Sequence, residues 1–209
     1  MDKEKFIEKT PYLYHLTDRR NLESIYQHKK ILSTTELVSL ANIENAENFL
    51  RQRRPLHTNI KANGYDVFIR DQRPLNRALN NCLTDNWTPE DYIYHLNRRV
   101  FMWPTLKRLW IHYGRYESEN PIILRFSAKE ILELNNHAEI TNINSGATRP
   151  SGALGGKAAA RGKDTFKKFE VFDLTVSKVA EVTFPEFCLL PNNYQKANNP
   201  DGPWQNGSF

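Results

Sequence analysis

The sequence has no long apolar stretch and contains little cysteine. None of its apolar runs approaches the roughly 18 residues that a membrane-spanning helix needs, and its N-terminus carries no apolar segment of the signal-peptide kind. The two cysteines, Cys82 and Cys188, are far apart and have no histidine or cysteine at ligand spacing. This pattern excludes a zinc knuckle and argues against a disulfide framework. Together these absences predict a cytoplasmic protein with no membrane partner.

The motifs of several common enzyme classes are missing as well. No G-x-x-x-x-G-K-[ST] segment is present, and no G-x-G-x-x-G segment follows a predicted strand, so nucleotide binding through either loop is not expected. The motifs G-x-S-x-G, H-E-x-x-H and C-x-x-C are absent, and the six histidines do not cluster. The sequence therefore disfavours hydrolases built on a catalytic triad or a metal ion, and it predicts no metal site.

What the chain does have is enough apolar sequence for one domain, together with an uneven distribution of positive charge. Hydrophobic residues make up 39% and charged residues 25% of the 209 residues, and the net charge is +5. We expect a single domain over residues 1–209, with an irregular tail at 192–209. Two segments, 93–116 and 145–163, hold basic residues with no acid among them. Such segments suit phosphate binding, although a solvated basic face has the same composition.

Strand and helix patterns alternate along the chain. Strands are expected over residues 12–16, 67–69, 100–103, 122–126, 138–143 and 178–184. Helices are expected after the first strand as far as residue 30, over 34–54, from 88 to 98, over 106–113 and after the capping box at 127. The glycine-rich connection at 144–163 is long for a compact domain, which is more typical of a functional loop than of an idle one.

Two polar residues in the predicted strands are candidate catalytic or binding groups. His15 lies in the first strand, within the segment Tyr14-His15-Leu16-Thr17, and Glu181 lies in the last one. The alternation of the last strand puts Glu181 on its more polar face, where a cleft can lie. A hydrogen-bonded structural histidine and a solvent-facing glutamate would give the same two patterns, so the residues alone leave both readings open.

Short motifs around these two residues resemble a known family. The segment Tyr-His-Leu-Thr-x3-Asn-Leu-x2-Ile-x5-Ile-Leu-Ser, which starts at Tyr14, is similar to the start of bacterial ADP-ribosyltransferases of the DarT type, toxins that use NAD to modify nucleic-acid bases. The strand Ala180-Glu181-Val182 resembles the segment that carries the catalytic glutamate of that group. Segments 70–75 and 97–104 resemble a neighbouring bacterial family of the same fold. The resemblance spans residues 12–191.

The resemblance implies an α+β domain in which a split, strongly bent mixed β-sheet, flanked by helices, surrounds an NAD cleft. Glu181 would be the catalytic residue, and its carboxylate would stabilise the positive charge that develops on the ribose as the glycosidic bond breaks. His15 would hydrogen-bond a ribose of NAD. Thr17 and Asn21 would line the pocket.

Two further positions of the family's site are not fixed by the motifs. The arginine that binds the dinucleotide has no clear counterpart, and three residues stay open for it: Arg73, Arg99 and Arg108. The aromatic position of the site falls on Tyr113 or Tyr116, and the nicotinamide ring would stack on Tyr113 or Trp103.

The acceptor implied by the resemblance is single-stranded nucleic acid, either DNA or RNA. The expected contacts to it are Trp103, Arg108, Arg149, Lys157, Arg161 and Lys163. The predicted function is thus an NAD-dependent transfer of ADP-ribose to a nucleic-acid base by a bacterial toxin or phage-defence effector, and whether an antitoxin protein binds it stays open. Two alternatives remain: a nucleic-acid-binding protein without catalysis, and a transferase of the same fold that acts on protein or on an RNA 2′-phosphate.

Overall fold

The computed structural model describes residues 1–209, apart from the side chains of Arg77 and Ala153. The α-helices are α1 (Lys3–Lys9), α2 (Leu22–His28), α3 (Thr34–Leu40), α4 (Ala46–Arg51), α5 (Pro89–Asn97), α6 (Leu106–Tyr113) and α7 (Ala128–Leu134). Short 3₁₀ turns lie at Arg19–Asn21, Arg77–Cys82, Glu117–Glu119, Gly152–Leu154, Lys163–Thr165, Phe169–Val171 and Val176–Lys178.

The strands form two larger sheets and two two-stranded sheets. They are β1 (Tyr12–Thr17), β2 (Lys30–Leu32), β3 (Thr58–Ala62), β4 (Tyr65–Ile69), β5 (Arg99–Met102), β6 (Ile122–Ser127), β7 (Glu139–Thr141), β8 (Glu181–Pro185), β9 (Phe187–Leu189), β10 (Asn193–Ala197) and β11 (Gln205–Ser208). One sheet has the order β1-β6-β10-β11 and the other the order β5-β8-β7. In addition, β2 pairs with β9 and β3 pairs with β4.

A backbone bridge between Tyr14 and Trp103 joins the two larger sheets. The backbone N–H of Tyr14 in β1 donates to the carbonyl of Trp103 at 3.0 Å, and the N–H of Trp103 donates back to Tyr14 at 2.8 Å. Trp103 directly follows β5, so this bridge brings the edge of one sheet against the edge of the other. The residue after Tyr14 is His15, which the fold therefore places at the junction.

The main hydrophobic core lies around β6 and β8. Strand β6 is an almost continuous apolar run because it is an interior strand, paired with β1 on one side and β10 on the other. Helix α7 follows it at once, capped by Ser127, and buries Ile131 and Leu132 in the same core as Phe126 and Phe184. This packing fixes β8, the strand that begins with Glu181.

The α+β class expected from the sequence is confirmed, but the expected mixed sheet is wrong. Every strand ladder in the described chain is antiparallel. Parallel pairing is limited to an isolated bridge between Leu83 and Arg161.

The single helix expected over 34–54 is also wrong. The chain forms α3 and α4 instead, separated by a turn in which Asn42 and Asn45 adopt left-handed backbone angles, with φ of 48° and 59°. Asparagine enters this region more readily than most residues because its short polar side chain bonds locally. The apolar spacing continues across the turn, which is why it reads as one helix.

The irregular tail expected at 192–209 is wrong as well. Strands β10 and β11 lie there, and β10 extends the sheet of β6 through Gln195, Lys196 and Ala197. Their polar, asparagine-rich sequences give no strand pattern because the hydrogen bonds to β6 and between β10 and β11 determine the structure. Strand β3 gives no strand pattern for the same reason, and it is joined to β4 by a turn at Asn63-Gly64, with φ of 49° and 87°.

Candidate active site

A cavity of about 280 Å³ lies beside the junction of the two sheets. This volume is close to the lower end of the range of small-molecule sites, roughly 300–1,000 Å³. Its lining includes polar side chains from β1, β8, α6 and the segments that follow β4 and β7. The titratable or hydroxyl-bearing groups among them include His15, Arg70, His112, Arg115, Ser145 and Glu181.

Glu181 is buried at the start of β8, with 4% of its surface exposed. Ser145 donates two hydrogen bonds to the same carboxylate oxygen, Oε2, from its hydroxyl at 2.6 Å and from its backbone N–H at 3.3 Å. Burial raises the pKa of Glu181 to about 7, although the bonds from Ser145 and the positive charges of Arg108 and Arg161 favour the ionised form. The carboxyl group therefore titrates near neutrality.

His15 has one ring nitrogen committed to the backbone. Its Nδ1 lies 2.9 Å from the carbonyl oxygen of Phe101, and because a carbonyl only accepts, Nδ1 carries the proton. Burial lowers the pKa of His15 to about 4, and the charge of Arg70 lowers it further while the bond to Phe101 opposes the shift. The imidazole is thus neutral at pH 7, and its Nε2 is a hydrogen-bond acceptor that no described residue engages.

Thr17 and Asn21 are among the residues that line the cavity, and their polar groups hold two strands together. The amide nitrogen of Asn21 donates to Thr17 Oγ1 and to the carbonyl of Phe68, both at 3.0 Å, and its oxygen accepts from the N–H of Phe68 at 2.7 Å. Phe68 belongs to β4, so Asn21 ties β4 to the end of β1. Arg70, which follows β4 directly, is positioned by this contact.

Arg70 is one of the cavity residues that the sequence reasoning did not single out, together with His112, Arg115 and Ser145. Its Nη1 donates to Glu119 at 3.1 Å, and its guanidinium lies 4.0 Å from the centre of the Tyr116 ring. Its Nε and Nη2 are buried without a partner among the described residues. A buried donor left unpaired costs about 1–3 kcal/mol. Two other lining arginines, Arg54 and Arg99, also have buried donors without a partner among the described residues. The signal available in the sequence for Arg70 was its place at the end of a predicted strand, at the start of segment 70–75.

Of the three arginines expected at the dinucleotide, Arg99 lines the cavity and the other two do not. The guanidinium of Arg99 donates to the carbonyl of His95 at 2.7 Å and to Glu139 at 2.8 Å. Arg73 is exposed, pairs with Asp71 at 3.0 Å and is not part of the lining. Arg108 is also outside the lining, on α6, where it acts on Glu181 only through its charge. Besides Arg99, positive charge in the cavity wall comes from residues such as Arg70 and Arg115.

The aromatic residues of the site also differ from expectation. Tyr113 is buried beside Trp110, with ring centres 5.5 Å apart, and it does not line the cavity, whereas Tyr116 does. Trp103 lines the cavity, stacked on His112 with ring centres 4.1 Å apart. Because only 8% of Trp103 is exposed, it is not a surface platform for nucleic-acid bases.

The residues expected to bind nucleic acid divide into an exposed and a buried group. Arg149 and Lys157 are exposed on the long loop, and Lys163 is exposed beside Asp85, 3.8 Å away. Arg161 is 3% exposed and donates its hydrogen bonds to backbone carbonyls of the same loop. The expectation that Arg161 contacts phosphate is therefore wrong.

Comparison with known proteins places the chain in one family. The model of a family of unknown function, DUF7002, matches residues 11–187, and the chain belongs to that family. No curated protein and no solved structure matches the chain.

Two general features complete the description of the site and its surroundings. Among the described side chains, no group of three or more histidine, cysteine, aspartate or glutamate residues lies close enough together to hold a metal ion. None of the helices in the described chain is both long and apolar enough to cross a bilayer.

Proposed function

We propose that this chain is an NAD-dependent ADP-ribosyltransferase of the DarT type, with single-stranded nucleic acid as the acceptor. The observation that carries the proposal is that Glu181, His15 and Arg70, which are distant in sequence, line one cavity. The cavity brings together a buried carboxylate, a neutral imidazole acceptor and a guanidinium with unpaired donors. These groups match the cationic, hydroxyl-bearing and anionic parts of NAD.

Glu181 supplies the group that responds to bond cleavage. As nicotinamide leaves, positive charge develops on the ribose, and a buried carboxylate held in place beside it stabilises that charge more strongly than water does. The positively charged nicotinamide ring of bound NAD would also favour the ionised form of Glu181, lowering its pKa from about 7 in the free protein. Ser145 occupies only Oε2, and no described residue hydrogen-bonds Oε1.

His15 and Arg70 serve the donor. The unprotonated Nε2 of His15 accepts from a hydroxyl, which suits a ribose of NAD. Arg70 offers its unpaired Nε–H and Nη2–H to the pyrophosphate, and a guanidinium pairs with phosphate oxygens through charge-assisted hydrogen bonds. The nearby Arg115 adds positive charge to the same cavity.

The long loop serves the acceptor in this proposal. It begins at Ser145, beside Glu181, and carries the exposed Arg149 and Lys157. Basic side chains on a glycine-containing loop hold phosphates without reading base identity, which suits a flexible single strand.

The proposal is tested by incubating the protein with NAD and single-stranded DNA or RNA. We expect release of nicotinamide and a nucleic-acid product heavier by one ADP-ribose unit, detected by mass spectrometry. The Glu181→Gln variant should lower the rate by about 10²–10³, since one electrostatic contact in the transition state is lost.

The matched control is Glu186→Gln, which removes an exposed carboxylate just beyond the same strand. It should retain the wild-type rate. Absence of nicotinamide release from the wild type with either nucleic acid, or equal rates for the wild type and Glu181→Gln, would contradict the proposal. Strand binding without release would instead favour a non-catalytic nucleic-acid-binding protein.

A further inference from the structure

The long loop after β7 has a buried base and an exposed tip. Ser145, Thr148 and Arg161 form the loop base and are 0%, 0% and 3% exposed. Residues 149–160 form the loop tip, closed by an antiparallel bridge between Ser151 and Lys157. A buried loop segment must satisfy its backbone polar groups, and the loop base shows how this is achieved.

The guanidinium of Arg161 donates hydrogen bonds to four backbone carbonyls of the loop. Its guanidinium donates to the carbonyl of Asn144 at 3.2 Å, to that of Ser145 at 3.5 Å and to those of Ala147 and Ala159. Its own backbone is held by Cys82 and Thr84 through bonds of 2.7 Å each. The forked guanidinium therefore joins the two ends of the loop, because one planar group reaches carbonyls from both.

Ser145 connects this arrangement to the carboxylate. Its carbonyl accepts from Tyr92 Oη at 3.1 Å and from Arg161, while its hydroxyl and N–H both donate to Glu181 Oε2. Thr148 anchors the next turn by accepting from the N–H of Asn76 at 3.0 Å. Ser145 thus has little freedom to leave the carboxylate while the loop base is intact.

We infer that Ser145 and Arg161 are positioning residues that form a clasp, through which the acceptor loop sets the orientation and ionisation of Glu181. The clasp assigns to Arg161 a role different from phosphate binding. Its catalytic meaning rests on the proposed function, but the link between the loop base and the carboxylate stands on the geometry alone.

The pKa of Glu181 reports on the clasp, because the carboxyl group is surrounded by charged and hydrogen-bonding groups. Arg108 and Arg161 favour its ionised form, Arg115 and Tyr92 also lie within electrostatic range, and burial opposes ionisation. In this setting the two hydrogen bonds from Ser145 specifically stabilise the charged carboxylate. Removing the hydroxyl leaves the other groups in place and should raise the pKa of Glu181.

The test is an NMR titration of the Glu181 carboxyl carbon in ¹³C-labelled protein, with the resonance assigned by its absence in Glu181→Gln. The Ser145→Ala variant should raise the pKa by about one unit, since it loses one of the two donors. The matched control is Ser151→Ala in the loop tip, whose hydroxyl makes no hydrogen bond within the described chain and which should leave the titration unchanged. An unchanged pKa in Ser145→Ala overturns the inference.

A second variant separates the clasp from a charge effect. Arg161→Lys keeps the positive charge but cannot reach carbonyls at both ends of the loop, so it should raise the pKa of Glu181 in the same direction. An unchanged titration in folded Arg161→Lys would remove Arg161 from the clasp. If that variant does not fold by circular dichroism, Ser145→Ala decides the inference by itself.

Activity gives a further readout. In Ser145→Ala the pH profile of nicotinamide release should move to higher pH together with the carboxyl titration, whereas a merely structural loss would lower the rate at every pH. A wild type that releases no nicotinamide would count against the proposed function only, since the titration reads Glu181 whether or not NAD is cleaved.

Discussion

Glu181 should cost the fold stability at neutral and alkaline pH. Its pKa rises from 4.5 in the unfolded chain to about 7 in the folded protein. Between these values the folded state holds a proton that the unfolded state has lost, so the contribution to the free energy of unfolding falls as the pH rises. Above about pH 7 this loss of folding stability is complete, and a pKa shift of about 2 to 3 units corresponds to about 3 kcal/mol in the free energy of unfolding.

We therefore expect Glu181→Gln to have a larger free energy of unfolding than the wild type at about pH 8, by up to about 3 kcal/mol, and to unfold at a higher urea concentration. Near pH 4 the two proteins should have the same stability. The comparison of the two proteins cancels other titrating groups, such as His15. Glu186→Gln, an exposed carboxylate, should show no such pH-dependent difference. A Glu181→Gln variant that is no more stable at about pH 8 than near pH 4, relative to the wild type, would show that the carboxyl group is not desolvated.

Residue identity was enough to single out Glu181 and His15 but not the arginines. A glutamate in an apolar strand and a histidine in a β-like run contrast with their neighbours, so the sequence marks them. An arginine's availability depends on its partners, and those come from distant segments: Glu139 engages Arg99, while Arg161 turns inward to backbone carbonyls. The sequence around Arg70 and Arg99 does not show which partners each guanidinium has, and only the fold shows this.

At the scale of elements, the loop tip and the cavity should have separate roles that variants can distinguish. Arg149 and Lys157 are exposed on the tip, while the donor groups line the cavity. Reversing both tip charges, in Arg149→Glu with Lys157→Glu, should depress modification of nucleic acid far more than slow hydrolysis of NAD. Both rates are measured in the same preparation, one by mass spectrometry and the other by nicotinamide release.

Salt dependence supplies the second measurement for this pair. Binding of single strands should weaken with added salt at a slope of about −0.7 per phosphate contacted, and the double variant should have a shallower slope. Reversal of two other exposed charges, in Lys168→Glu with Lys178→Glu, controls for net charge. Equal loss of both activities, or salt-independent binding by the wild type, would show that the tip is only a solvated basic surface.

The elements themselves were predictable where local sequence decides them. Helix α5 begins at the capping box of Thr88 and Asp91, and β6 is an apolar run, so both were expected from the sequence. Strands β10 and β11 were not, because their order comes from pairing with β6 and with each other. The loop base is the same kind of case, since its buried contacts join residues that are 14 to 17 positions apart.

At the scale of the whole molecule, the cavity lies where both larger sheets and several helices meet. Its lining includes residues from β1, β4, β5, β8, α6 and the loop base, so a bound ligand contacts elements of both larger sheets. Ligand binding to the folded state alone raises its stability by mass action. Occupancy of the cavity should therefore be visible in the unfolding of the entire chain.

The last prediction uses this coupling to test the donor site without catalysis. In the Glu181→Gln protein, which should bind NAD and cleave it about 10²–10³ times more slowly, NAD at about 100 times its dissociation constant adds about 2.7 kcal/mol, or roughly 5–10 °C in Tm for a chain of this size. Adding Arg70→Gln or His15→Ala should remove most of this shift at the same NAD concentration, because each variant loses a contact to the donor. Arg98→Gln, an exposed arginine paired with Glu186, is the matched control and should keep the full shift. If the increase in Tm on adding NAD is as large in the Arg70→Gln and His15→Ala variants as in the Arg98→Gln control, the NAD site lies outside this cavity.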